Sequence, residues 1–105
     1  MSEFTRVCSL GDLADGQSLA VAVGGEQVAV VRTEGEVLAI RDVCSHAEVP
    51  LTEGDVDGYT IECWLHGSCF DVRTGKPTNL PATEPVPVYP VKIEGDDVLV
   101  SIEES

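Results

Sequence analysis

Cys44-Ser45-His46 and, after sixteen intervening residues, Cys63-Trp64-Leu65-His66 are the two runs that decide how this chain is read. Each offers one thiol and one imidazole, and together they hold both histidines of the chain. Neither run can hold a metal centre alone, whereas two converging loops would bring four soft or borderline donors to one point. Such a donor set suits zinc, or iron with inorganic sulfide. A ligand has to be a thiolate or a neutral imidazole, and chance seldom places every His of a chain two or three residues from a Cys. The rest of the sequence is therefore read as a frame for two loops.

Working outward from the first run, residues 37–43 form an apolar stretch that reads as a strand leading straight into Cys44. Residues 44–51 include Pro50 and show no period, which reads as a loop. Upstream, the Val- and Ala-rich runs 19–23 and 27–32 are separated by Gly24-Gly25, the signature of a β-hairpin. Glu34-Gly35 marks the next reversal. Residues 4–10, with Phe4, Val7 and Cys8, read as a first strand in which Cys8 is a small buried hydrophobe. Downstream, Gly54 and Gly58 bracket a turn-rich acidic passage, 59–62 is a short strand delivering Cys63, and 70–72 is the outgoing strand. The second run thus sits at a hairpin tip. Residues 73–77 turn again, four of the six prolines fall between Pro77 and Pro87, and 88–93 with 98–102 make a last hairpin around Gly95-Asp96-Asp97. Short strands and turns at such close spacing favour an all-β sandwich or barrel.

A chain of 105 residues is expected to be one domain, 1–105, with one modest core. Apolar residues make up 43 %, so disorder by composition is excluded. The start carries no basic region followed by an apolar run, and no stretch approaches the roughly eighteen apolar residues of a membrane span. A cytoplasmic protein without a membrane partner is expected. Six basic against 19 acidic residues give a formal charge of −13, the wrong sign for nucleic acid or an anionic membrane. A partner with a basic docking face fits better, and a monomer is the default state. Two of the four Cys lie in the ligand runs, which points to a reducing compartment rather than a disulfide framework.

Cys63-Trp64-Leu65-His66-Gly67-Ser68-Cys69-Phe70-Asp71, continuing into Thr74-Gly75, resembles the second cluster-binding box of Rieske ferredoxins. The likeness runs on through Leu80-Pro81-Ala82, Val88-Tyr89-Pro90-Val91 and Gly95-Asp96-Asp97-Val98. It is similar to the ferredoxin components of bacterial ring-hydroxylating oxygenases, and to actinobacterial Rieske ferredoxins associated with iron–sulfur cluster assembly. The resemblance implies the Rieske fold: an antiparallel sandwich or barrel-like base with a small cluster-binding part over about 44–80. It implies a [2Fe–2S] cluster, one iron held by Cys44 and Cys63 and the other by His46 and His66. It further implies an electron carrier and not an enzyme, served by a flavin-dependent ferredoxin reductase and delivering to a terminal oxygenase or another redox acceptor.

With two thiolates and two neutral imidazoles such a centre is neutral when oxidised and singly negative when reduced, so it accepts an electron more readily than an all-Cys cluster. High-potential members of the family carry an extra Cys in each box and a Tyr that donates to a ligand sulfur. Here Val49, Leu65 and Phe70 stand at those positions, which predicts a potential near the low end of the Rieske range, about −150 mV. Ser68 is a candidate donor to the cluster or a cap for the turn. Trp64 reads either as a docking aromatic or as packing between the loops, Pro81 as part of a loop shielding the cluster, Cys69 as facing the core, and Gly67 as serving a backbone conformation. Other functions weigh less. A catalytic oxygenase subunit needs two more His for a mononuclear iron, and none is left. A small subunit of a reductase such as nitrite reductase shares the fold, an accessory role in cluster biogenesis shares the cofactor, and a structural zinc module shares the four donors.

Overall fold

Four consecutive apolar residues, Val28-Ala29-Val30-Val31, are wholly removed from solvent, and the architecture is laid out on either side of them. The computed structural model describes residues 4–43, 50–63, 67–78 and 84–102. Among these, the strands are β1 (Thr5–Ser9), β2 (Gln17–Val23), β3 (Glu26–Thr33), β4 (Glu36–Arg41), β5 (Val56–Asp57), β6 (Thr60–Glu62), β7 (Cys69–Asp71), β8 (Val88–Tyr89), β9 (Val91–Glu94) and β10 (Asp97–Val100). They pair antiparallel into three sheets, ordered β1-β10-β9, β2-β3-β4-β8 and β5-β6-β7. The expected all-β class holds, with no α-helix among the described residues.

Side chains on a strand alternate between its two faces, so a strand buried at every position must have a core on each side. Val28 and Val30, with Ala39 and Tyr89, meet Cys8, Leu13, Val98 and Val100 of the first sheet and its neighbours. Ala29 and Val31, with Ile40, meet Leu51, Ile61, Phe70, Val72 and Val86 on the opposite side. The four-stranded sheet is therefore a middle layer between two apolar cores. At about 1.5–3 kcal/mol for each fully buried Val, the run on β3 is a principal source of cohesion. Cys8 is buried in this packing, as the sequence suggests.

The expected hairpins form through two-residue turns, Gly24-Gly25 between Val23 and Glu26, and Glu34-Gly35 between Thr33 and Glu36. Three expectations are corrected. Residues 88–93 are not one strand: Tyr89 pairs with Ala39 of β4, whereas Val91–Glu94 pairs with β10. Pro90 stands between them, lacks the N–H a continuous ladder needs, and accepts the Ser101 N–H at 3.1 Å through its carbonyl. Pro90 has no N–H to return a bond to Ser101, so the regular ladder of β10 ends at Val100 and not at 102. On the other side, β4 stops at Arg41, two residues short of the expected 43. Arg41 donates its N–H to the Pro87 carbonyl at 3.0 Å, and the chain leaves the sheet at Asp42.

Candidate metal centre

The second ligand run rises from a hairpin whose stem is closed right up to the loop. Thr60 pairs with Asp71, Ile61 with Phe70 and Glu62 with Cys69. Beyond the ladder the Cys63 N–H donates to Ser68 O at 2.6 Å and the Gly67 N–H donates to Cys63 O at 2.9 Å. This places Cys63 at the mouth of a tight tip, as expected from its position between two short strands. Gly67 has φ +75°, the left-handed conformation its reading as a backbone-serving glycine calls for. Cys63 and Ser68 are both fully buried, Cys63 beside Ile61, Leu51 and Phe70.

Period-two alternation also settles Cys69, and corrects its reading as a core residue. Phe70 takes the inward position on β7, so Cys69 turns outward next to Glu62, half-buried, with its thiol 3.9 Å from the Gly67 carbonyl. Burial, followed by the negative charges of Glu62 and Asp57, pushes the Cys69 thiol above its ordinary value.

The first loop is anchored with equal economy. Asp42, 3 % exposed at the end of β4, accepts the Thr52 N–H at 2.8 Å on one carboxylate oxygen and the Thr52 hydroxyl at 2.9 Å on the other. Its own N–H donates to Gln27 O on β3 at 2.9 Å. Past the loop, a 3-10 turn at Leu51–Glu53 sinks Leu51 completely into the core shared with Cys63. Gly54 then lies so close to β6 that a Cβ would collide with the Glu62 carbonyl, while the Glu62 N–H donates to Asp55 O at 2.9 Å. The limb leaving the first loop is thereby seated on the residue that precedes Cys63. Asp42, Thr52 and the close approach at Gly54 are absent from the reading of the sequence. The available signal is a charged residue at the end of an apolar run, which needs donors if it is buried.

A third segment returns beside the hairpin. Thr78 donates its N–H to Cys69 O at 2.7 Å, Asp71 donates its N–H to Lys76 O at 2.8 Å, and farther on Val86 donates to Gly75 O at 2.8 Å. The proline-rich stretch thus begins and ends on the same hairpin. Arg73 secures the turn, its guanidinium 3.0 Å from Asp71 and 4.3 Å from the Tyr59 ring centroid. Hydrogen bonding from Arg73 holds the Asp71 carboxyl below the usual carboxylate range. Burial, then a hydrogen bond with Glu36, pushes the Tyr59 hydroxyl up. Of the four expected donors Cys63 is described; Cys44, His46 and His66 lie outside the described residues, as do Val49, Trp64, Leu65 and Pro81.

The model of the Rieske [2Fe–2S] domain matches residues 3–90, and the chain belongs to that family. The ferredoxin component of biphenyl 2,3-dioxygenase from Rhodococcus jostii is 48 % identical over 99 residues, covering 94 % of this chain and 92 % of the relative. The solved ferredoxin of carbazole 1,9a-dioxygenase from Nocardioides aromaticivorans superposes with a TM-score of 0.89 at 44 % identity, over 92 % of this chain and 95 % of that one. A ferredoxin chain solved as a complex of reduced oxygenase and oxidized ferredoxin in carbazole 1,9a-dioxygenase gives a TM-score of 0.92 at 36 % identity, over 97 % and 95 % of the two chains. With that fold and those relatives, the chain is a Rieske ferredoxin, a carrier of electrons and not itself the catalytic oxygenase. Its cofactor is a Rieske-type [2Fe–2S] cluster.

The residues fit that cofactor. Cys63 offers a sulfur donor of the kind such a cluster takes, and the backbone bonds of the loop mouth hold it in place. The bases of the two loops that carry both His are held together through Leu51, Gly54 and Glu62. Among the described residues no helix is long and apolar enough to cross a membrane.

Proposed function

We propose that Cys44 and Cys63 hold one iron and His46 and His66 the other, within a cluster-binding part over 44–80 of a single domain spanning 1–105. The carrier takes single electrons from a flavin-dependent ferredoxin reductase and passes them to the terminal oxygenase of an aromatic-ring dioxygenase system in the cytoplasm. One observation carries this reading: a wholly buried Cys63 at the mouth of a hydrogen-bonded hairpin, against which the limb of the first ligand loop is seated. The relatives named as ferredoxin components of dioxygenase systems, and the solved complex of such a ferredoxin with an oxygenase, support the choice of acceptor.

When bound, the cluster supplies a site that gains or loses one electron. The chain's part is to bind and shield it. Cys63 brings a thiolate to a dry pocket, the Cys63–Ser68 and Gly67–Cys63 backbone bonds fix the loop mouth, and the acidic surface selects a partner of opposite charge. Phe70 supplies no hydroxyl, and Val49 and Leu65 stand where high-potential members carry their extra Cys, so the potential falls near the low end of the Rieske range, about −150 mV.

The test is to purify the protein anaerobically, measure iron and acid-labile sulfide, and titrate the visible and EPR signals. Two irons and two sulfides per chain with a low midpoint agree with the reading, and oxygenase turnover that depends on the carrier and a flavin reductase identifies the partners. A colourless chain that binds zinc instead, or a midpoint near +300 mV, overturns it.

A further inference from the structure

We propose that Asp42 is a positioning residue for the cluster: with Thr52 it clamps the two limbs of the first ligand loop and sets where Cys44 and His46 stand relative to Cys63. The proposal rests on the cluster assignment above, and the geometry that carries it is independent of the cluster. Asp42 is buried, both carboxylate oxygens are engaged by one residue, and that residue lies ten positions away across the loop. Its backbone N–H is bonded to Gln27 of the middle sheet, so the entry limb is fixed to β3 while its side chain grips the exit limb. From Thr52 the path continues without a gap: Leu51 lies in the core with Cys63, Gly54 rests on the Glu62 carbonyl, and Glu62 takes its backbone partner from Asp55. A buried carboxylate needs its acceptor sites satisfied, and because both donors here come from one residue on the far limb, they fix both the separation and the orientation of the two limbs.

The chemistry separates a clamp from a charge. An Asn at 42 can accept the Thr52 N–H through its oxygen and donate to the Thr52 hydroxyl through its amide, which keeps the grip and removes the charge. An Ala keeps neither. A Val at 52 keeps the backbone donor and the shape and loses the hydroxyl.

The experiment uses the full chain carrying its cluster, as wild type, Asp42→Ala, Asp42→Asn and Thr52→Val. It reads the rate of cluster loss to an iron chelator, the EPR g-values of the reduced protein and, by circular dichroism, the folding of the base. Asp42→Ala should lose the cluster at least about 10-fold faster, with shifted or broadened g-values, the usual scale for a group behind a metal ligand. Asp42→Asn should restore both readouts to within about twofold of wild type, because both bonds can be remade. Thr52→Val should fall between, and it decides the matter if Asp42→Ala does not fold. Asp42→Ala with wild-type loss rate and g-values, Asp42→Asn as impaired as Asp42→Ala, or an unaffected Thr52→Val overturns the clamp. If the wild-type chain itself takes up no iron and sulfide, the cluster assignment fails first and the clamp with it. A loaded wild type beside unaltered variants removes the clamp alone.

Discussion

The two sides of the middle sheet are built by different means. On one side, the β1-β10-β9 sheet and the β2–β4 strands are each knit internally by ladders of four to seven paired residues, and the two sheets meet in an apolar core around Val28, Val30, Val98 and Val100. On the other, β5, β6 and β7 have two or three residues each, too few to stand alone. An apolar core around Leu51, Ile61, Phe70 and Val72 is present there too, but the loops are aimed by particular tie points: Asp42 to Thr52, Gly54 against Glu62, Glu62 to Asp55, Thr78 to Cys69, Val86 to Gly75. A continuous core tolerates small adjustments by sharing them, whereas a set of single ties fails one tie at a time. The proposed ligand loops lie on this second side, and cluster binding is expected to complete its folding.

Four experiments press on this contrast, beginning with the largest effect. Chelating the iron should speed hydrogen exchange across β6 and β7 while the amides of β2 and β3 keep their protection; equal protection in both states would erase the distinction. Next, Phe70→Ala deletes the largest fully buried side chain among the described residues, at a cost of about 3–5 kcal/mol by chemical denaturation, and should weaken cluster retention. Leu13→Ala, in the opposite core, should cost about 2–5 kcal/mol with unchanged EPR; an altered EPR signal would show that the two cores are not separable. Gly54→Ala forces β6 and the neighbouring limb apart, at about 1–3 kcal/mol, and is expected to hasten cluster loss with little effect on β2–β4 exchange.

The smallest effect is electrostatic. Because Arg73 depresses the Asp71 carboxyl, their pairing stabilises the folded chain at neutral pH. The contribution is lost as pH falls from about 4 through the lowered value. Arg73→Ala should therefore be less stable than wild type at pH 7, with the difference vanishing in acid. A difference that grows on acidification would reverse the assigned cause.

What the sequence discloses follows the same division. The Gly24-Gly25 and Glu34-Gly35 reversals, the strand into the first loop and the hairpin bearing Cys63 are legible because turn chemistry and alternation are local. The partition of 88–93 between two sheets is not, since Val88-Tyr89-Pro90-Val91 has strand character throughout and only the packing decides where Pro90 breaks it. Asp42 and Thr52 pair across a stretch with no period, and Gly54 looks like any turn glycine until β6 lies against it. Cys69 yields to alternation only once the inward place of Phe70 is known. The donor types are plain in the sequence; the contacts that aim them come from residues distant in the chain.

The double-sided burial of β3 also governs which substitutions the chain can accept. In a sandwich of two sheets every second position of a strand faces water, and a saturation-mutagenesis survey would show tolerance rising and falling with each step. Along Val28-Ala29-Val30-Val31 that oscillation should disappear, leaving a block where every polar replacement is punished. The odd and even members of the block should nevertheless differ in phenotype. Damage at Ala29 or Val31 would surface as bleached protein, and damage at Val28 or Val30 as protein that never accumulates.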